Sequence, residues 1–550
     1  MLYDMLRADT QQPCLKETVM RYKIALICIY FLCNTTLHTV DDLDTNKIID
    51  EHTNQTFMFT RPISHSISMN QAGWNDFAYE SHKLGTSFQT YVVYAQSFKN
   101  SAEAEYFSFD HKHILSIRGG TDPTEFDLTP KGFIPKDPTQ DQITTPSFNR
   151  DILGQWLNYN DVETATFSFE PHQRQAAGII EFSQDLSKVS EADLFKSWYF
   201  SVRVPITYVS NNIGFRTDNS DVTLNALSNN NFLYNNVSTC SISSTRPSNA
   251  QFTLGTKYLN ENDLQVITGM GVVVPLVEQR TGRYLFEPIH GFNAHFGFPT
   301  QLLVQFPLLV SDDIAHSRVC FFLSLENIFL ARNKQMRTYD LKGKPYSRYL
   351  KLLDIHSNSI VPAMNVLTLR SRVEPFNMFN SAMGFRIKFH DCLGEVGYEL
   401  WAHGTENVSV ENKFEAEWQD DRYGIAFIND EGKLASIDGS NMIEELPIGQ
   451  TGMTASKSSI NHVASPDGIS ACCPTPTFTQ QNKYITLQDL DLNSAAARST
   501  ITHKVYMSVT LGERGDKRDF FANLGIYIEA AQNNAALSMW GGWAKFGITF

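Results

Sequence analysis

The chain has 550 residues, 42% hydrophobic, 12% aromatic and 19% charged, with a formal net charge of -14. The apolar fraction excludes a disordered chain, 31 Gly and 21 Pro exclude a collagen-like or low-complexity one, and the acidic balance argues against a nucleic-acid binder, which needs a basic surface. The mean hydropathy of -0.25 excludes a helical membrane bundle but leaves room for a membrane β-barrel, where only alternate residues meet lipid.

At the N-terminus, Arg21 and Lys23 precede the apolar run 24–33. The run is too short to cross a bilayer as a helix, which takes ~20 residues. A basic flank followed by a short apolar stretch predicts a secretory signal peptide over 1–39, with Met20 the more natural start. Beyond it lie Cys240, Cys320, Cys392, Cys472 and Cys473, an odd number without CxxC spacing. Neither a disulfide framework nor a cysteine metal site is expected.

Residues 40–155 are irregular and turn-rich, with Asn70-Gln71-Ala72-Gly73 and Pro130, Pro135, Pro138 and Pro146. They read as a plug, an extra hairpin or a small domain. From 156 onward the dominant pattern is period-2 alternation. In 196–209, Trp198, Phe200, Val202, Val204, Ile206 and Tyr208 share one face, with Ser201, Arg203 and Thr207 on the other. Residues 264–276 and 291–308 repeat the pattern. Strands in soluble sheets cluster near 5–6 residues, whereas a tilted strand needs ~9–11 to cross a bilayer. Trp198 and Tyr208 would stand ~25 Å apart along the membrane normal, the height of the band between two aromatic girdles.

Candidate spanning strands are 163–171, 174–184, 196–209, 264–276, 291–308, 318–331, 365–373, 382–390, 394–403, 499–511, 519–531 and 535–550, with two more at 88–97 and 104–117. Segments 211–262 and 404–498 read as large loop insertions. The predicted fold is all-β, an antiparallel up-and-down transmembrane barrel of about 12–14 strands with long extracellular loops.

The final segment alternates Trp540, Gly542, Ala544, Phe546, Ile548 and Phe550 against Gly541, Trp543, Lys545, Gly547 and Thr549. It resembles the last strand of bacterial outer-membrane β-barrel proteins. That resemblance implies an assembly signal at Phe546, Ile548 and Phe550, read by the barrel-assembly machinery, and a place in the outer membrane in contact with its lipid. It identifies no subfamily.

The alternation also predicts charges facing the lumen. Arg203 lies on the polar face of its strand, and Arg370 and Arg372 oppose the apolar face of theirs. Arg386 and Lys388 oppose Phe385, Ile387 and Phe389. If 365–373 and 382–390 are neighbours, four positive charges share one wall, with Glu395 or Glu399 on the next strand and Glu529 elsewhere able to face them. Such charges line a selective pore or fill a plugged interior.

Catalytic motifs such as HExxH, GxSxG, a P-loop or GxGxxG are missing from the sequence. His390-Asp391, His403 and Asp312-Asp313 with His316 are ordinary rim neighbours. Arg514-Gly515-Asp516 sits where a charged turn is expected anyway. No enzyme, metal or cofactor is expected. The leading expectation is a porin-like channel for small solutes. The alternatives are a barrel anchoring surface loops that bind a partner, and a secreted soluble β-sandwich.

Overall fold

The computed structural model describes, with short gaps such as 75–84, residues 54–118, 152–153, 164–436 and 485–550. The expected signal peptide and Cys472-Cys473 lie outside the described residues. Twelve strands form one closed antiparallel ring. They are β1 (Thr86–Ser97), β2 (His172–Asp185), β3 (Trp198–Asn212), β4 (Asn249–Leu259), β5 (Gln265–Pro275) and β6 (Gly297–Ser311), then β7 (Ser317–Leu330), β8 (Met378–Phe389), β9 (Cys392–His403), β10 (Thr500–Arg514), β11 (Asp519–Ala531) and β12 (Met539–Thr549). Each pairs with the next, and β12 returns to β1 from Ser87↔Thr549 to Ser97↔Met539. Closure leaves no edge strand, which an all-strand wall in lipid requires. Past a break at Ser248, Ile242–Pro247 carries the line of β4 along the far half of β3.

The count falls in the expected range, but by compensation. The candidates at 163–171, 365–373 and 104–117 contribute Thr164–Ser168, Thr368–Glu374 and Ile114–Arg118 to small sheets outside the ring. These strands are five to seven residues long, below the spanning length, while the ring strands have 11 to 15. In their place the ring takes β4, from within the expected 211–262 loop, while the candidate at 88–97, within 40–155, is β1. The wall therefore begins at Thr86 rather than near residue 156.

Period 2 sets the two faces. Along β11, Leu524, Ile526 and Ile528 are exposed, whereas Asn523, Tyr527 and Glu529 are buried. This is the reverse of a soluble sheet packed on a core: the apolar row is outside. Inward aromatics are seated on inward glycines directly opposite them: Tyr199 on Gly255, Tyr506 on Gly397, Trp543 on Gly525, Tyr527 on Gly541 and Phe521 on Gly547. A Cβ at Gly525 would lie 2.1 Å from the Trp543 ring, and one at Gly547 2.0 Å from Phe521. The missing side chain is the space the ring occupies, so these pairs lock register across the seam.

The two ends of the ring differ. One carries the connections 186–197, 260–264, 312–316, 390–391 and 515–518. The other carries 98–171, 213–248, 276–296, 331–377 and 404–499, along with the shorter 532–538. These long connections build a second core at their end. Phe107, Tyr346, Leu352, Met364 and Leu367 are fully buried there, beside small sheets such as Asn333–Thr338 with Thr368–Glu374 and Asn407–Val410. No helix among the described residues is long and apolar enough to cross a membrane.

Candidate functional site

The lumen is occupied by the chain itself. Residues 54–74 are buried almost throughout and run from the long-connection end toward the short-turn end. At the start, the Thr56 amide donates to Ser494 O at 2.8 Å. The Phe57 ring there lies between the Arg337 and Arg280 guanidiniums, 3.4 and 4.8 Å from its centroid. At the other end, Trp74 packs on Phe521. In between, α1 (Ile67–Gln71) makes one short helical turn.

Ile63, Ile67, Met69 and Trp74 of this segment join the buried core, and polar side chains of the wall hold its polar groups. Gln173 Nε2 donates to Thr60 Oγ1 at 3.1 Å, and Gln175 both accepts from the Ile63 amide at 3.0 Å and donates to Arg61 O at 3.2 Å. Gln71 donates to Ser324 at 2.9 Å, and Lys545 Nζ to Asn70 O and Ala72 O at 3.0 and 2.9 Å. Tyr91 donates to Asn70 Oδ1. His65 Nε2 lies 3.6 Å from Glu326. These contacts come from β1, β2, β7 and β12, several sides of the ring.

At the middle sits a balanced group of four charges: Glu399 from β9, Glu529 from β11, Lys504 from β10 and Arg61 from the lumen segment. Arg61 reaches Glu399, and its Nη1 donates to Glu529 at 2.9 Å. Lys504 Nζ lies 3.6 Å from Glu399 and 3.5 Å from Glu529, and donates to Ser66 Oγ at 3.0 Å. Glu399 also accepts from Ser66 Oγ at 2.8 Å, from the Ile67 and Ser68 amides at 3.1 and 3.2 Å, and from Ser68 Oγ. All four charged groups are buried. Burying two anions and two cations is tolerable only with this degree of pairing and hydrogen bonding.

Two further pairs line the wall. Arg203 meets Glu181 at 3.0 and 3.2 Å, and Gln89 donates to the same carboxylate at 2.7 Å. Arg386 donates to Glu395 at 2.7 Å and to Gln305, and Tyr506 OH donates to Glu395 at 2.9 Å. A cleft of about 30 Å³ among Asn70, Gln71, Trp74, Glu181, Arg203 and Gln301 remains, enough space for ordered water.

Of the residues predicted to line the pore, Arg203, Arg386 and Glu399 face the lumen and are engaged there. Lys388 lies near the short-turn end of β8 and is half-buried. The wall of four positive charges does not form. β8 pairs with β7 and β9, not with 365–373, and Arg370 and Arg372 stand outside the ring. Arg370 is half-exposed beside Glu411 at 3.3 Å, and Arg372 donates to Asn412 at 3.2 Å. Seven alternating residues have the same pattern in a small loop sheet as in a wall. Arg61, Glu181, Lys504 and Lys545 were missed. Lys504 and Lys545 carried a signal, each a lone cation on the polar face of an alternating strand. Arg61 had none, since its segment has no period.

Trp198 and Tyr208 both project outward, at opposite ends of β3. Phe546 is exposed on the outer face, and the Phe550 amide donates to Thr86 O at 2.8 Å, across the closure. His403 is buried between Trp401 and Phe59, with ring centroids 5.1 and 5.6 Å away. His390, Asp391, Asp312, Asp313, His316 and Asp516 lie outside the described residues.

No protein-family model and no curated protein sequence matches the chain. Among solved structures, it is similar to an outer membrane channel from Pseudomonas putida F1, at 8% identity and TM-score 0.33, over 86% of this chain and 98% of that one. It is also similar to the transport unit of the autotransporter AIDA-I from Escherichia coli, at 8% identity and TM-score 0.28, over 90% and 99%. A mutant of the TodX monoaromatic hydrocarbon channel aligns at 8% identity and TM-score 0.28, over 84% and 89%. The overlaps are distant, and the architecture stands on the strand order itself: a closed antiparallel ring of twelve strands, apolar outside and polar within, is the fold of the outer-membrane β-barrels.

Proposed function

We propose that this protein sits in a bacterial outer membrane as a channel for small solutes, closed at rest by its own residues 54–74. The observation that carries the reading is the kind of bonding between segment and wall. Beside the buried apolar contacts of Ile63, Ile67, Met69 and Trp74, it includes many hydrogen bonds and ion pairs. Water can replace such bonds, which lowers the cost of the segment leaving a hydrated lumen relative to a wholly apolar plug. Once vacated, the lumen would present Glu399, Glu529, Lys504, Arg203 and Glu181, a mixed-charge lining that favours small polar solutes over one sign of ion.

In planar bilayers the full chain should show low or intermittent conductance. Arg61→Ala, which removes the guanidinium bridging two wall carboxylates, should raise the open fraction clearly. Folded protein without conductance in either form would sink the channel reading.

A second reading is favoured by the built core of the long connections. Loops that bury Tyr346, Leu352 and Leu367 form a domain with its own surface. The barrel would then anchor a module that binds a partner outside the cell. Deleting 331–377 while keeping conductance intact, and losing cell-surface binding, would favour that role.

A further inference from the structure

On the outside of the ring, at the end bearing the long connections, β1, β2 and β3 present polar residues side by side. Gln96 is opposite Arg174, Arg174 opposite Ser210, and His172 opposite Asn212. With Lys99 and Arg216 they bound a cleft of about 360 Å³. Lys99 and Arg174 are exposed. Among the described lining residues the one carboxylate, Glu170, already accepts from Arg216 at 2.5 Å. His172 Nδ1 is bonded to Ser97 Oγ at 3.0 Å, which leaves Nε2 for another partner. Among the described residues the cleft thus offers several cationic or donor groups and no free anion.

Its height on the wall is informative. Level with Gln96 on the next strand is Trp540, and two residues nearer the middle are Tyr94 and Tyr208. These outward aromatics are 43%, 42% and 40% exposed, and Tyr94 lies against Trp540 at 6.1 Å. Further in, the outward residues are Val92, Ile180 and Ile206, all apolar. Successive same-face positions are ~6.6 Å apart. The outer surface therefore passes within about two steps from apolar to a belt where aromatics (Tyr94, Tyr208, Trp540, Phe98) and cations (Arg174, Lys99) stand together. That sequence marks hydrocarbon, interface and headgroup depth. Cations at headgroup depth on a lipid-facing wall meet lipid phosphates.

We propose that this cleft binds the phosphate of an anionic lipid in the leaflet at the long-connection end, with Arg174 and Lys99 as the principal contacts. The assignment rests on the membrane reading above. Arg offers a forked donor pair to phosphate oxygens and Lys a mobile point charge, while Tyr94, Tyr208 and Trp540 would flank the acyl chains.

The test uses the full chain in neutral detergent micelles, with bound lipid measured by native mass spectrometry. Diphosphorylated lipid A, its dephosphorylated form and inorganic phosphate are the three probes. The wild type should retain the phosphorylated lipid about tenfold or more over the dephosphorylated one, the effect of losing one or two charge-assisted bonds. The double substitution Lys99→Gln, Arg174→Gln should erase that preference while leaving the heat-modifiable mobility of the folded barrel unchanged. Equal retention of both lipids by the wild type, or a preference that survives the double substitution, overturns the proposal. Displacement of the lipid by millimolar inorganic phosphate also overturns it, assigning the cleft to a free anion. Failure of the membrane reading would show separately, as a protein that stays folded and monodisperse without detergent.

Discussion

Residues 54–74 pass through two surroundings that stabilise them differently. At the long-connection end, Phe57 and Phe59 pack among rings, aliphatic side chains and arginine faces. Inside the ring, Arg61, Ser66, Ser68 and Asn70 are held by wall hydrogen bonds and charges. A buried apolar side chain contributes about 1.5–3 kcal/mol that nothing in water restores. A typical internal hydrogen bond nets about 0.5–1.5 kcal/mol, because water offers an alternative. Ile63, Ile67, Met69 and Trp74 are buried inside the ring too, so the loop-end core is the more firmly fixed region and the lumen, with its larger polar share, the more exchangeable one.

The largest expected effect is at the centre of the exchangeable region. Glu399→Gln leaves Arg61 and Lys504 to share Glu529, and breaking a buried charge balance in this way costs about 3–5 kcal/mol. Limited proteolysis should then cut within 54–74 while the ring keeps its heat-modifiable mobility. Simultaneous loss of the ring would mean that segment and wall fold as one unit, and the contrast would fall. Next is Leu367→Ala in the loop-end core, at about 2–5 kcal/mol for a buried leucine. Its denaturant midpoint should drop for loop-end probes, with single-channel conductance unchanged. A conductance change would couple the two regions.

A separate effect is a pH dependence at the loop end. Glu103 accepts from the Ser538 amide at 3.0 Å, and burial pushes its carboxyl up from 4.5 to about 8. The folded state thus keeps a proton that the unfolded chain releases near 4.5. Stability from this group is present below that value and declines as pH rises toward about 8. Glu103→Gln keeps the acceptor and removes the titration, so the decline between pH 5 and 8 should flatten. An identical slope in the variant would place the titration elsewhere. By contrast, Asp354 beside Arg422, 2.7 Å from it, has its carboxyl held down to about 2, so that pair weakens only under strong acid.

Much of the wall was legible because lipid imposes a simple rule. Ten of the twelve spanning candidates became ring strands, since a run long enough to cross a bilayer and apolar on one face has few other uses. The two failures, 163–171 and 365–373, were short alternating segments. A small loop sheet half-buried on its own core requires the same pattern over that length. β4 was overlooked because its inward face carries Gln251, Thr253 and Gly255 and its neighbours are rich in Asn. Lumen charges on regular strands, such as Arg203, Arg386 and Glu399, followed from parity. Their partners did not, since Arg61 meets Glu399 across 338 residues of chain.

Sequence alone determined that this chain is a membrane-length β-wall with inverted faces, because alternation is a local property that each strand carries independently. Tertiary structure decided what the wall encloses. The aperiodic segment 54–74 becomes the lumen filling only when strands far apart in the chain place Gln175, Glu399, Lys504, Glu529 and Lys545 around it. The phenylalanines divide in the same way. Phe298, Phe385 and Phe546 lie outward on the wall, as alternation demands, while Phe57, Phe107 and Phe286 were committed to the loop-end core by closure of the ring. A burial site assembled from many segments leaves no period in any one of them.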